Sequence, residues 1–513
     1  VNRMEVRMEA QTADESTPVA GVDADWPTAA WYAEATGGRW VGLPPRDEVR
    51  VRGAGIDTRE SLNGRVFVAL RGRHADGHDH LEAATAAGAS MLLVETTKAE
   101  RCRRVVPSEI PMLAVADPRT ALATAARAWR ATLAGRIVAV TGSCGKTTTK
   151  RLLHAALRRT LRGVASPRSF NNDLGVPLTL LSIPRHADYA VLEVGTSGPG
   201  EIAQLASLVR PHLAIITMVG RAHLERLGSI EGIAAEKASL LDRLTAPAVA
   251  VVRADGGVLE AAVAARGARI GEVVTFGHAK RATVRVVERR WDSDAQVVRL
   301  ADGRRFRLRL PGAHQAENAA AAIAAAVRLG VSFESAAAGI ASVEAEAHRS
   351  VERIAGGLRF LDDAYNANPD SMRAALEMVA EFENDAPTAL VLGDMLELGP
   401  EAAAMHAAMG RAVADLAARR PVPLAVFVGP LSAEAADAFE AKATGVPCLR
   451  ANEATPELAR AIADRLEPGT RVLLKASRGI GLERIVEWAD AAAPLVEVRS
   501  RPASTAAVSS QRD

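Results

Sequence analysis

The sequence predicts an α/β protein of three domains: a small mixed α/β module, a central unit built on a mostly parallel sheet, and a C-terminal doubly wound unit of the Rossmann type. Three observations predict it. The length of 513 residues suits three domains at roughly 100–200 residues each. Apolar runs of strand length alternate with helical segments, which is the mark of parallel βαβ units. The pattern also changes character near residues 135 and 349, which divides the chain into 26–134, 135–348 and 349–495.

In the first stretch, β-type runs at 65–70 and 91–94 enclose a helix-like segment at 81–88. The second opens on RIVAV, an apolar strand at 136–140, followed by a glycine loop and a helical pattern over 148–161. Strands at 189–194 and 213–219 are each followed by a helix; short β segments fill 270–310, and an alanine-rich helix spans 316–329. In the third stretch, strands are expected at 359–361, 388–392, 424–428 and 471–474, with helices between them. No solenoid-type repeat is present. Residues 1–25 are polar and read as a flexible leader, with Val1 a start codon read literally and Met4 or Met8 the alternative starts. Residues 496–513 read as a disordered tail.

Composition narrows the function. The 63 basic and 61 acidic residues leave a net charge of +2, so nucleic acid is not an expected partner, and aromatics at 4% offer few stacking platforms. No apolar stretch is long enough to span a bilayer, and residues 1–18 carry charges in place of a signal-peptide core. Three cysteines, Cys102, Cys144 and Cys448, lie far apart with no CxxC pair, which argues against disulfides and zinc and for a reducing, cytoplasmic setting.

The most informative segment is TGSCGKTTTK at 141–150. Glycines between a buried strand and a helix let backbone N–H groups approach phosphate oxygens, and the helix N-terminus adds favourable partial charge. Lys146 is placed to neutralise β/γ-phosphate oxygens, and the Thr147 hydroxyl to ligate Mg²⁺. Thr141, Gly142, Ser143, Cys144, Gly145 and Thr148 complete the cradle. The spacing is TGxxGKTT rather than GxxxxGK[ST], since Val140 stands where the first glycine would fall. The alternative, a glycine turn with an incidental lysine, does not account for strand, glycine pair, lysine, threonine run and helix agreeing. The central unit therefore reads as a P-loop ATPase.

Glu193 ends the strand YAVLEVG, and His223 follows the next strand in VGRAHLERLGS. Strand C-termini converge on the ligand crevice of an open α/β sheet, so both are expected near Thr147. Taken singly, each is as readily a solvated or capping residue. Together with the loop and with Lys237 in AAEKASLL, they resemble the Mur ligase family, whose members couple ATP hydrolysis to amide formation through an acyl phosphate. The resemblance implies three domains, a carbamylated lysine at Lys237 (N6-carboxylysine), and two Mg²⁺ ions held with the help of Thr147, Glu193, His223 and Lys237. It makes Lys146, His223, Lys237 and Arg349 the catalytic set.

Further segments carry the resemblance in order over most of the chain: IDTRE (56–60), VFVALRGRHADGH (66–78), SFNNDLGVPLTLL (169–181), GAHQAEN (312–318), LDDAYNANPDSM (361–372), LGDMLELG (392–399) followed by His406, and LLKASRGIGLE (473–483). They are similar to family members that add D-alanyl-D-alanine to UDP-N-acetylmuramoyl-tripeptide, so those two molecules are the implied substrates. On that basis His314, Asn318, Arg349, Asp363, Tyr365, Asn366 and Asn368 are expected on the ATP side. Thr58, Arg59, Arg71, Asp76, His78, Asn171, Asn172, Asp394, Lys475 and Arg478 are expected on the substrate side. Arg349 stands near an expected hinge, and closure of the domains is implied because the phosphate loop and Asp363 lie on different ones. A monomer without membrane insertion is expected.

Each motif has a plainer reading. DDAYNANPDS is also turn and N-cap chemistry. HADGHDH (74–80) has the residue types of a metal site but no HExxH and no cysteine partner. The sequence departs from the family at Cys144, at Gln315 and at 196–199. Cys144 is either a small filler or a low-pKa thiol at a helix N-terminus. The competing functions are a sister ligase adding the third, diamino residue, which carries a DNPR segment absent here; a folate-polyglutamate ligase, which would lack the first module; and a non-catalytic nucleotide-regulated binding protein, which would lose Glu193, His223, Lys237 or Arg349. A GTPase would need an NKxD motif, and none is present.

Overall fold

The computed structural model describes residues 25–45, 48–254, 256–382, 386–443 and 445–492. The expected leader, apart from Asp25, and the expected tail lie outside them. Among the described residues the protein is mixed α/β with three sheets, mostly parallel. No helix of the described residues is long and apolar enough to cross a membrane.

The first sheet contains β1 (Arg39–Trp40), β2 (Ala54–Gly55), β3 (Val66–Val68), β4 (Met91–Glu95) and β5 (Met112–Val115) in the order β1-β5-β4-β3-β2. Only β1 runs antiparallel to its neighbour. The second contains β6 (Arg136–Thr141), β7 (Gly163–Ala165), β8 (Tyr189–Glu193), β9 (Leu213–Ile216), β10 (Val249–Arg253), β11 (Glu272–Gly277), β12 (Val284–Asp292), β13 (Ala295–Leu300) and β14 (Arg305–Leu308). Its order is β14-β13-β12-β11-β10-β9-β6-β8-β7. It is parallel from β7 to β12, and β12, β13 and β14 form an antiparallel extension. At its edge Arg305 and Arg307 point outward while Phe306 and Leu308 are buried.

The third sheet contains β15 (Val351–Ala355), β16 (Leu358–Asp362), β17 (Thr388–Gly393), β18 (Ala425–Val428), β19 (Cys448–Ala451) and β20 (Arg471–Lys475), ordered β15-β16-β20-β17-β18-β19. Here β15 is the antiparallel member. In both larger sheets a strand lies between neighbours reached by opposite crossovers: β6 between β8 and β9, and β20 between β16 and β17. Ligands bind at such switch points, outside the strands' C-terminal ends.

The chain divides into two compact units. One comprises residues 1–344 with the short segments Pro369–Ala374 and Glu397–Pro400; the other comprises the remainder from Ala345. In the first unit the first and second sheets share one core, in which Tyr32, Leu113 and Trp129 join Val176, Leu192 and Ile216. The helix Pro118–Thr132 ties them. Asp117 caps it by accepting from Arg119 N and Thr120 N, and Pro118 occupies the first turn. Near its end, the buried guanidinium of Arg130 donates from Nε to Val209 O at 2.6 Å and from Nη2 to Arg210 O at 2.7 Å. It thereby satisfies carbonyls at the C-terminus of helix Glu201–Val209. In the second unit, Phe360, Val391, Val426 and Leu474 of the third sheet form their own core with Leu482 and Ile485.

The expected strands all have counterparts. The helix after the glycine loop begins earlier and ends earlier than expected, at Lys146–Leu157. β10, VAVVR, has the same apolar signature as β6. β2, β7 and β19 are short or partly exposed and leave little periodicity to read.

Arg130→Met removes both donors and leaves buried carbonyls unpaired. The expected loss is about 2–4 kcal/mol of stability, read from urea unfolding.

Candidate active site

The loop after β6 is held by contacts that explain its glycines. Gly142 has φ +148°, and a Cβ there would lie 1.9 Å from Thr217 Oγ1; Gly145 has φ +81°, and its Cβ would lie 2.5 Å from Asn318 Oδ1. Any side chain would displace the loop. Ser143 N donates to Met218 O at 3.0 Å, and Ser143 Oγ donates to Gly220 O at 2.9 Å. The Thr217 hydroxyl donates to the Cys144 carbonyl. Thr141 Oγ1 is buried without a hydrogen-bond partner.

Lys146 and Thr147 open the helix Lys146–Leu157, whose first-turn N–H groups have no acceptor within the helix itself. Lys146 Nζ donates to Gly142 O at 2.8 Å, folding its ammonium over the loop. Thr147 Oγ1 donates to Glu193 Oε2 at 2.9 Å, and Asn171 Nδ2 donates to Oε1 at 2.8 Å. Lys150, one helical turn from Thr147, brings its ammonium to 3.5 Å from the same Oε2. The Lys150 and Glu193 side chains are only 2% and 1% exposed. Ser166 Oγ accepts from Glu193 N at 3.1 Å. The expected approach of Glu193 to Thr147 is thus present, and Asn171, expected on the substrate side, joins them. Lys150, Ser166 and Thr217 were not singled out in the sequence. The i, i+3 spacing of Thr147 and Lys150 was the available signal for the first of these.

Lys237 lies on helix Ile230–Ala238 and is buried. Burial, with repulsion from Lys146, pushes its ammonium down to about 7. Its neighbour Glu236 anchors the facing loop, accepting from Gly200 N at 2.8 Å and from Ile202 N at 2.8 Å. His223 sits in a left-handed conformation, φ +58°, and pairs with Glu397 of the same unit. Burial outweighs the attraction of Glu397 and, with repulsion from Lys146 and Lys237, holds its imidazole below the ordinary value. Lys146, His223 and Lys237 therefore stand within electrostatic reach of one another. An anion bound among these groups would favour their charged forms.

Asn318 Nδ2 donates to Gln315 Oε1 at 3.0 Å, and the Thr149 hydroxyl donates to Asn318 Oδ1 at 3.3 Å. Gln315 thus supports Asn318 beside the loop. His314 is half-buried at the start of helix Ala313–Arg328. In the first sheet's module, Asp57 grips Arg59 from both carboxylate oxygens, at 2.9 and 2.6 Å, which holds the Asp57 carboxyl at about 2. Thr58 is half-buried between them, and Arg71 is exposed. Asp76 accepts from His78 N and pairs with His78 Nδ1 at 2.6 Å and with Lys98. Burial raises the Asp76 carboxyl, but hydrogen bonds from Lys98 and His78 outweigh it and hold the carboxyl below the usual range. His78 Nε2 accepts from Glu95 N at 3.0 Å, so both ring nitrogens are engaged within the protein. Among the described residues, no cluster of three His, Cys, Asp or Glu side chains fits a metal ion. Asn172 Oδ1 accepts from Gly175 N at 2.8 Å, at the start of the helix Gly175–Leu181.

In the second unit the switch point at β20 gathers its own cluster. Lys475 Nζ reaches Asp363 Oδ2 at 2.5 Å and donates to Asn366 O at 3.2 Å. His348 Nδ1 lies 2.7 Å from Asp362 Oδ2. Arg349 stacks its guanidinium 3.8 Å from the Tyr365 ring centroid, and Arg478 lies 5.4 Å from it. His348 and Ser350, on either side of Arg349, both have positive φ. Asn368 is buried. The Asp394 carboxylate is buried and committed to the N-terminus of helix Ser432–Glu440, accepting from Ser432 N at 2.7 Å and Leu431 N at 3.2 Å. His406 Nε2 accepts from Met395 N at 3.0 Å and fixes the adjoining turn.

A glycine loop at a sheet switch point, a buried Thr–Glu oxygen pair and converging lysines define a nucleotide-dependent enzyme. Residues 50–130, 140–326 and 348–478 match, respectively, the models "Mur ligase family, catalytic domain", "Mur ligase middle domain" and "Mur ligase, glutamate ligase domain". The chain belongs to the Mur ligase family. It is 32% identical over 456 residues to the UDP-N-acetylmuramoyl-tripeptide–D-alanyl-D-alanine ligase of Bacillus subtilis, covering 86% of this chain and 94% of that one. The crystal structure of MurF from Acinetobacter baumannii matches with a TM-score of 0.75 at 30% identity, over 90% of this chain and 99% of that one. The MurF ligase from Thermotoga maritima in complex with ADP matches with a TM-score of 0.70 at 26% identity, over 86% and 97%.

Two outcomes are expected. Gly142→Ala abolishes binding of a fluorescent ATP analogue while leaving the circular dichroism spectrum intact. Lys237, depressed when folded and ordinary when unfolded, makes the folded protein bind fewer protons between about pH 7 and 10. Its burial penalty is therefore full below pH 7 and relieved as pH rises. Stability of the wild type relative to Lys237→Met should rise over that window by about 1 kcal/mol per pH unit. A flat difference would place the ammonium in water.

Proposed function

We propose that this enzyme joins D-alanyl-D-alanine to UDP-N-acetylmuramoyl-tripeptide with hydrolysis of ATP. The observation that carries the reading is the buried pair of Thr147 and Glu193 beside Lys146 and Lys237, in a chain whose relatives of that activity match over nearly their whole length. The tripeptide's terminal carboxylate attacks the γ-phosphorus and ADP leaves. The dipeptide's amine then attacks the acyl carbon of the mixed anhydride, and phosphate departs as the amide forms.

The chemistry needs anions brought together. Lys146 neutralises phosphate oxygens, and backbone N–H groups of the loop bind them. Thr147 and Glu193 are hard oxygen donors of the kind Mg²⁺ takes, so they would hold that ion, with His223 beside them; Mg²⁺ would screen charge on the phosphates. An amine held near pH 7 in a buried site is nucleophilic enough to take up CO₂, so Lys237 as a carbamate would add a second anionic ligand. Its positive neighbour Lys146 favours that anion.

The remaining roles are those the family resemblance implies. Asn318, supported by Gln315 beside the loop, and His314 are assigned to the nucleotide. Arg349, Asp363, Tyr365 and Asn366 form the second unit's nucleotide-side cluster. Thr58, Arg59, Arg71, Asp76, His78, Asn171 and Asn172 serve the uridine-nucleotide substrate, with His78 acting through Asp76. Lys475 and Arg478 serve the dipeptide side, with Asp394 shaping the turn behind them. We place the domain boundaries at 26–134, 135–348 and 349–495, and infer a cytoplasmic monomer.

Purified protein with ATP, Mg²⁺, the UDP-tripeptide and D-alanyl-D-alanine should release phosphate only when all are present; release without the dipeptide would overturn the assignment. Lys237→Ala should lose activity by at least about a hundredfold, in line with loss of a metal-site group, and formate or acetate should restore part of it. Failure of that rescue, with no CO₂ adduct in the mass spectrum, would remove the carbamate.

A further inference from the structure

The pairing of Lys150 with Glu193 has a charge consequence. Both side chains are almost wholly buried, and the ammonium lies 3.5 Å from Oε2, the oxygen that also accepts from Thr147. Lys150 Nζ donates as well to Arg168 O, which holds it in place. Arg168 is itself in a left-handed conformation, φ +43°, so its carbonyl is turned by a backbone that few non-glycine residues adopt. Without nucleotide, the carboxylate and the ammonium balance. A divalent cation entering next to Oε2 leaves two positive charges uncompensated in a water-poor site, and that is costly. The phosphates of a nucleotide arriving with the cation remove the imbalance.

We propose that Lys150 is a positioning residue that serves as the resident counter-ion of Glu193, so that the site retains a divalent metal only together with nucleotide. Lys150 aims Oε2 toward Thr147 and balances the charge of the Glu193 carboxylate. It disfavours metal held alone, which would otherwise occupy the carboxylate in an unproductive position. The inference rests on the reading of Glu193 as a metal ligand.

The test uses Mn²⁺ as probe, titrated into the full chain without nucleotide and followed by the electron paramagnetic resonance signal of the free ion. Lys150→Met keeps the length and removes the charge. It is expected to bind Mn²⁺ about tenfold or more tightly than the wild type, because a unit charge a few ångströms from a divalent ion is removed. Lys150→Arg should behave as the wild type. If Lys150→Met does not fold, Lys150→Gln, which can still donate to the Arg168 carbonyl, gives the same reading. A folded neutral variant that binds Mn²⁺ no more tightly than the wild type overturns the proposal. Adding Glu193→Gln to the neutral variant should abolish its gain. If the gain persists, Glu193 is not the ligand and the underlying reading fails instead.

Discussion

The buried carboxylate of Glu193 is the constraint around which the central unit is arranged. An ionised carboxylate out of water is tolerable only with donors on both oxygens and a cation nearby. Thr147, Asn171 and Lys150 supply them. They come from two parts of the topology. Thr147 and Lys150 share one face of the helix that follows β6, and Asn171 arrives on the chain between β7 and the helix Gly175–Leu181. Because β6 lies between β8 and β9, the end of β8 meets the glycine loop directly, and Thr217 after β9 braces the loop from the other side. Without that strand order, these residues could not meet.

The positive side of the site follows a different logic. Lys146 is half-buried and folded back on its own loop, while Lys237 is deeply buried and displaced toward neutrality by desolvation and by Lys146. Crowding ammonium groups together stores unfavourable energy in the empty site, which binding of phosphates relieves. The second unit uses the opposite arrangement at β20, where Lys475 is matched by Asp363 and Arg349 is stacked on Tyr365. There the charges are already balanced, and the strain resides in the backbone at His348 and Ser350.

Much of this was legible in the sequence, for physical reasons. Central strands such as β6 and β17 are buried on both faces and so appear as unbroken apolar runs. The loop spacing points to its chemistry because glycine, lysine and threonine at those offsets have few other uses, whereas LDDAYNANPDSM on its own is equally turn and N-cap chemistry. What could not be read is pairing in space. That Gln315 supports Asn318, that Asp394 is committed to the end of a helix, and that His78 has both ring nitrogens engaged depend on contacts between segments far apart in the chain or on local turns that several residue types can make. Short edge strands such as β2, β7 and β19 have too few residues for any period to emerge.

The rim of the nine-stranded sheet has a consequence of another kind. One border is β7, only three residues long; the other is β14, whose outward side chains Arg305 and Arg307 are both cationic. A second copy approaching border to border would find too little backbone to grip at β7 and, at β14, charged side chains, with Arg307 paired to Asp292 and Asp294. A broad, largely apolar sheet of this size is thereby kept from acting as a template for its own polymerisation, even in a crowded cell.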